Sequence, residues 1–111
     1  MRPREVQQLR RRAAVFAALG DPTRLDVVAR LARGEPQSIS RLTAERPLSR
    51  QAVTKHLRVL ERAGVVHSTR AGRETRFALD PTVLDEARAG LEAISRQWDD
   101  ALARLRAFVE G

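Results

Sequence analysis

The stretch that most constrains the fold is Leu48 to Gly64, which carries a helix with both of its ends written in. Ser49 has a hydroxyl that can accept from a free backbone N–H of a first turn. Gly64 is the residue type that ends a helix in the left-handed conformation. Between them Val53, His56, Leu57 and Leu60 fall at the spacing of one buried stripe. Arg50, Gln51, Thr54, Lys55 and Arg58 take the opposite side, a set of donors suited to base edges and phosphates. A solvated surface helix presents the same kind of face. The flanking segments decide between the two.

Upstream, the spacing predicts a first helix over about 4–19, with Val6, Leu9, Ala13 and Phe16 as its apolar line and Gly20 as its stop. Arg10, Arg11 and Arg12 lie largely off that line and read as a solvated face. Asp21-Pro22 starts a second helix, Asp as cap and Pro at the first helical position. Its inner side is expected to be Leu25, Val28, Ala29 and Leu31 or Ala32. Gly34 and Pro36 end it. A short third helix is expected from Ser38 to about Arg46, with Ile39 and Leu42 inward. Pro47 closes it, and a turn over Glu45 to Leu48 leads into the donor-rich helix. Two helices joined by a short turn, the second carrying outward donors, form the helix-turn-helix pattern.

After Gly64 the period changes from helical to extended. Val65 to Arg70 has the β-branched content of a strand, Ala71-Gly72-Arg73-Glu74 a turn, and Thr75 to Leu79 a returning strand. This hairpin, a wing, carries Arg70, Arg73 and Arg76, placed to lie along phosphates or enter a minor groove. Asp80-Pro81 repeats the helix start of Asp21-Pro22. From Thr82 to near the end Leu84, Ala87, Leu91, Ile94, Trp98, Ala101, Leu105 and Phe108 recur in alternating steps of three and four, a heptad seam. A terminal helix this long exceeds what a small domain can cover. Pairing with a second copy, with the apolar line of the first helix as companion, is expected to form a two-fold homodimer. Its interface would use Val6, Leu9, Ala13, Phe16, Leu84, Leu91, Ile94, Trp98, Leu105 and Phe108. Trp98 reads as seam packing rather than as the wall of a ligand pocket.

Composition narrows the partners. The 111 residues suffice for one domain, 1–111, and carry a net charge of +7. Such a surplus suits a polyanion, nucleic acid or an anionic membrane face. Nearly all of it is arginine, Lys55 being the only lysine. No stretch has the ~20 apolar residues of a membrane span, and residues 1–5 do not resemble a secretory signal. A cytoplasmic, nucleoid-associated location is expected, with no membrane partner. The chain has no cysteine, which excludes a disulfide framework, a thiolate metal site and a thiol redox switch. No nucleophile-base-acid set or phosphate-binding glycine loop is present. The expectation is therefore no enzyme, no catalytic residue and no cofactor.

Ala18-Leu19-Gly20-Asp21-Pro22-Thr23-Arg24-Leu25, the segment Leu48 to Leu60, Ala63-Gly64-Val65-Val66, Gly72-Arg73 and Phe77-Ala78-Leu79 together resemble the ArsR/SmtB family of bacterial winged-helix repressors. Val53 to Leu60 is the most specific part of the match, which spans about Val15 to Leu79. The last helix around Trp98 resembles a metal-independent branch. The resemblance implies a mainly α (α+β) winged helix-turn-helix fold, α1-α2-α3-α4-β-hairpin-α5, with a small extra strand near Gln37. It implies a repressor dimer on a near-palindromic operator, controlling its own or a neighbouring operon. Segments 1–20 and 82–111 would be dimerisation helices, 38–64 the helix-turn-helix and 65–79 the wing. Arg50, Gln51, Thr54 and Lys55 would contact bases and phosphates. Ser49 and Arg58 complete the DNA-facing set, Arg58 and Arg62 at phosphate or in solvent, and Arg70, Arg73 and Arg76 would be wing contacts.

The family's metal sites are not matched. Ser38-Ile39-Ser40 stands where one branch has a Cys-x-Cys pair, and serine does not hold soft metals. Asp85 and Glu86 lie on the last helix without a histidine after Leu79. No metal site is expected. His56 reads as packing on the inner side of its helix, and His67 as packed or solvent-facing in its strand. The inducing signal stays open among a small apolar ligand between helices, a protein antagonist and expression level alone. Two other functions fit the pattern: a winged-helix module docking a protein or membrane surface, and an architectural DNA binder without sequence preference.

Overall fold

The computed structural model describes residues 2–44 and 47–111. Five helices and three strands follow one another as α1 (Pro3–Leu19), α2 (Pro22–Ala32), β1 (Gln37–Ser38), α3 (Ile39–Thr43), α4 (Arg50–Arg62), β2 (Val66–Ala71), β3 (Glu74–Leu79) and α5 (Pro81–Glu110). The antiparallel sheet has the order β1-β3-β2. The small strand expected near Gln37 is β1. The expected extension of α3 to Arg46 and the first half of the turn, Glu45-Arg46, lie outside the described residues.

The starts of α2, α3, α4 and α5 are fixed by side chains. Asp21 Oδ2 accepts from the Arg24 amide at 3.0 Å, and Asp80 Oδ1 accepts from Thr82 and Val83 at 2.9 and 3.2 Å. Each aspartate precedes a proline at the first helical position, where no N–H is needed. Ser38 and Ser49 cap α3 and α4 in the same way. Helix α4 ends in a full Schellman motif: the Gly64 amide donates to Glu61 O at 3.0 Å and the Val65 amide to Leu60 O at 2.9 Å. Gly64 has φ +81°, which a side chain would strain.

The core is a single cluster under α4. Val27, Leu42, Val53, Leu57, Leu60, Val65, Val66 and Phe77 have no exposed surface, joined by Val15, Ala18, Leu31 and Ala87. Two expected inner faces are rotated. On α2 the buried pair is Val27 and Leu31, one turn apart, with Val28 half-buried; Leu25, Ala29 and Ala32 are exposed. The Val27–Leu31 line is the side of α2 that faces β3 and α4. On α1 Val15 and Ala18 enter the core and Phe16 is half-buried, whereas Leu9 and Ala13 are exposed.

Helix α5 has 30 residues, a length of about 45 Å at 1.5 Å per residue. Only its first third packs on the domain, through Val83, Leu84, Ala87 and Gly90. At Gly90 the Arg12 side chain lies across the backbone, its Cδ 3.7 Å from where a Cβ would stand. A side chain of α1 thus crosses the backbone of α5 at this glycine. Beyond it the seam is uncovered: Trp98 is 64% and Phe108 83% exposed, and Leu91, Ile94, Leu102, Leu105 and Val109 are exposed too. Trp98 is therefore neither core nor pocket wall within one chain. Among the described residues no helix is long and apolar enough to cross a membrane.

Candidate nucleic-acid interface

Helix α4 divides sharply into two faces. Val53, Leu57 and Leu60 are fully buried, while Arg50, Gln51, Lys55 and Arg58 are exposed on the other side. The division follows from the 3.6-residue period acting on this sequence. Ser49 spends its hydroxyl on the cap, accepting from the Ala52 amide at 3.1 Å. Thr54 is half-buried and its hydroxyl donates to Arg50 O at 2.7 Å, the local back-bond typical of threonine in a helix. Neither hydroxyl is idle in the unbound protein. Gln51 and Lys55 have no side-chain partner among the described residues and project freely.

Two arginines of this face are held. Arg50 Nη1 donates to Ser40 Oγ at 2.6 Å, linking α4 to α3. Arg58 Nη1 donates to Glu61 Oε1 at 2.7 Å, one turn along its own helix. The i,i+3 spacing of Arg58 and Glu61 makes their pairing legible in the sequence. Nothing in the sequence pairs Ser40 with Arg50, ten residues apart. Ser38 and Ser40 therefore act as a helix cap and a guanidinium acceptor.

The wing stands beside α4. Its two-residue tip, Gly72-Arg73, follows from the pairing of Ala71 with Glu74. Gly72 has φ +64° and Arg73 does not leave the usual region, the pattern of a type II′ hairpin. Arg73 is exposed at the tip. Alternation along the strands separates the other two arginines: Arg76 pairs with Thr69, Arg70 with Thr75, on opposite faces of the ribbon. Arg76 Nε lies 3.4 Å from Glu74 Oε2, and Arg70 Nε donates to Gly72 O at 3.4 Å. Both contacts are long and exposed. At the other sheet edge Arg41 of α3 and Arg76 line one polar cleft with Gln37, Ser38 and two glutamates, Glu35 and Glu74. Arg41 was not among the expected contacts, because α3 shows too short a pattern to reveal its outer face.

Both histidines sit against the aspartate of an Asp-Pro helix start. His56, half-buried as expected for packing, has Nδ1 3.9 Å from Asp21 Oδ2. His67 is exposed and its Nε2 lies 2.6 Å from Asp80 Oδ2. That bond, with the backbone bonds from Val83 and Thr82, holds the Asp80 carboxyl below its ordinary value. Asp21 is lowered chiefly by the Arg24 amide. Glu61 is lowered by hydrogen bonds from Ser68 and then Arg58.

The residues expected at a dimer interface fall into two groups. Leu84 and Phe16 are half-buried against the core cluster, and Val6 is half-buried as well. Leu9, Ala13, Leu91, Ile94, Trp98, Leu105 and Phe108 are exposed. The concavity between α1 and α5 lies at Gln8, Arg11, Arg12 and Glu86 rather than near Trp98. Among the described residues no group of three or more acidic, histidine or cysteine side chains is placed to hold a metal ion.

Known proteins share this fold. A helix-turn-helix domain family matches residues 19–69, from the end of α1 into β2. The HTH-type transcriptional regulator Rv2034 of Mycobacterium tuberculosis is 42% identical over 95 residues, covering 86% of this chain and 85% of its own. An ArsR-like transcriptional regulator from Rhodococcus sp. RHA1 superposes with a TM-score of 0.78 at 39% identity, over 90% of this chain and 93% of that one. The homodimeric winged helix-turn-helix DNA-binding domain of Mb0332 from Mycobacterium bovis shares the fold, with a TM-score of 0.68 at 22% identity over 90% and 88% of the two chains.

Proposed function

This chain belongs to the ArsR family of helix-turn-helix transcriptional regulators, and from that premise we propose that it is a homodimeric repressor of its own or a neighbouring operon. The observation that carries the reading is the two-sidedness of α4. One face is locked in the core, and the other offers Arg50, Gln51 and Lys55 beside an arginine-tipped wing. Two such helices related by a two-fold axis enter successive major grooves about 34–36 Å apart. The first two turns, Arg50 to Lys55, read bases. Arg70, Arg73 and Arg76 hold phosphates, as does Arg58 when released from Glu61.

The dimer forms through residues 1–20 and 82–111. The exposed row from Leu91 to Phe108 supports it, because an isolated chain leaves that much contiguous apolar surface in water only at a cost. No metal or other cofactor enters this reading. In vitro transcription from a promoter carrying the selected operator tests repression. Transcript should fall as protein is added and recover with the Arg50→Ala variant. A rise in transcript would make the protein an activator, and no change on a bound promoter would remove the regulatory reading.

A further inference from the structure

Glu61 stands on the last turn of α4 and spends both carboxylate oxygens. Ser68 Oγ, in β2 of the wing, donates to Oε2 at 2.6 Å, and Arg58 Nη1 donates to Oε1 at 2.7 Å. The side chain is only 28% exposed. Ser68 is half-buried opposite Phe77, on the core-facing side of the ribbon. One carboxylate therefore bridges the recognition helix and the wing, and occupies an arginine of the DNA-facing side.

We propose that Glu61 is a positioning residue for DNA recognition, fixing the wing against α4 through Ser68 and keeping Arg58 out of the base-reading set. This rests on the reading of α4 and the wing as the DNA interface. Charge alone makes the opposite forecast. A carboxylate beside a phosphate-binding surface opposes binding, so its removal would tighten binding to every duplex. If its use is geometric, its removal loosens the wing against α4, although Val66 and Phe77 still hold the strands in the core. Operator contacts made jointly by wing and helix then weaken, while sequence-independent attraction stays or grows.

The test is fluorescence anisotropy on a selected operator and on a random duplex across a salt series, with full-length wild type, Glu61→Ala, Glu61→Gln and Ser68→Ala. Glu61→Ala should lose about tenfold in operator affinity, on the order of one lost charged hydrogen bond, and lose nothing on the random duplex. Ser68→Ala, which removes one hydroxyl and leaves the fold intact, should lower the operator-to-random ratio in the same direction. Glu61→Gln should recover most of the ratio, since an amide oxygen can still accept from Arg58 and its NH2 can donate to the Ser68 hydroxyl. Tighter binding of both duplexes by Glu61→Ala and Glu61→Gln alike, with an unchanged ratio, would overturn the proposal and leave a simple charge effect. An unchanged ratio in Ser68→Ala would overturn it too. Loss of operator binding in Arg50→Ala beside intact Glu61 variants would remove this proposal alone. A wild type that binds no duplex would remove the DNA interface as well.

Discussion

His67 and Asp80 meet at 2.6 Å, and the same aspartate caps α5 through its other oxygen. The wing strand β2 is thereby tied to the first turn of the long helix. Asp80→Asn keeps the cap, since asparagine caps as well as aspartate, but removes the charge. The Asp80 carboxyl lies below its ordinary 3.8. Its contribution to stability is present above that value and is lost as pH falls through the lowered folded value. Thermal melts between about pH 6 and pH 3 should therefore show a shallower acid loss for Asp80→Asn than for wild type. Glu61, lowered from 4.5, adds a second component with the same sign, which Asp80→Asn leaves in place.

The two apolar surfaces should respond differently to truncation. Leu57 is fully buried, and Leu57→Ala should cost about 2–5 kcal/mol by denaturant melts. Phe108 is 83% exposed in the single chain. Phe108→Ala should leave the fold of one chain intact and shift sedimentation toward monomer as the protein is diluted. If Phe108→Ala and wild type dissociate over the same concentration range, the C-terminal part of the seam is not in the interface.

Gly64 takes φ +81° at the end of α4, between that helix and the wing. Gly64→Ala should destabilise by roughly 1–2 kcal/mol, the cost of the left-handed conformation for a residue with a Cβ. The added methyl meets only Val83 Cγ2 at 3.8 Å, so the loss comes from the backbone and not from a clash. A melt unchanged within error would contradict that account.

Arg50 and Arg73 should separate by the kind of binding they support. Arg73→Ala, at the wing tip, should weaken all duplexes about equally and reduce the salt slope by about one. Arg50→Ala should relax base preference. Ser40→Ala frees the Arg50 guanidinium from its 2.6 Å acceptor and should change base preference more than total affinity. Anisotropy titrations over a salt series measure all three.

Much of the fold was legible because local signals agreed. Asp-Pro pairs, Ser49, Gly64 and Gly72 each dictate a particular turn or cap, and each does so in the structure. The phase of α2 was not legible, because Leu25, Val27, Val28, Ala29 and Leu31 offer two apolar stripes and only the position of β3 and α4 selects Val27–Leu31. Helix α1 has a similar ambiguity, with Val15 and Ala18 taking the core. At the interface the outward face of α4 was readable from period alone. The bonds that set it were not: Ser40 to Arg50, Ser68 to Glu61 and His67 to Asp80 join residues brought together by tertiary packing.

The proposed function requires that two copies of α4 read one operator. Selection of binding sites by purified protein from a pool of random duplexes measures it directly. Enrichment is expected of an inverted repeat whose half-sites are centred about 10–10.5 base pairs apart, or a multiple of that spacing, and should be abolished by Arg50→Ala. A flat profile, or a single half-site without a symmetric mate, would contradict it.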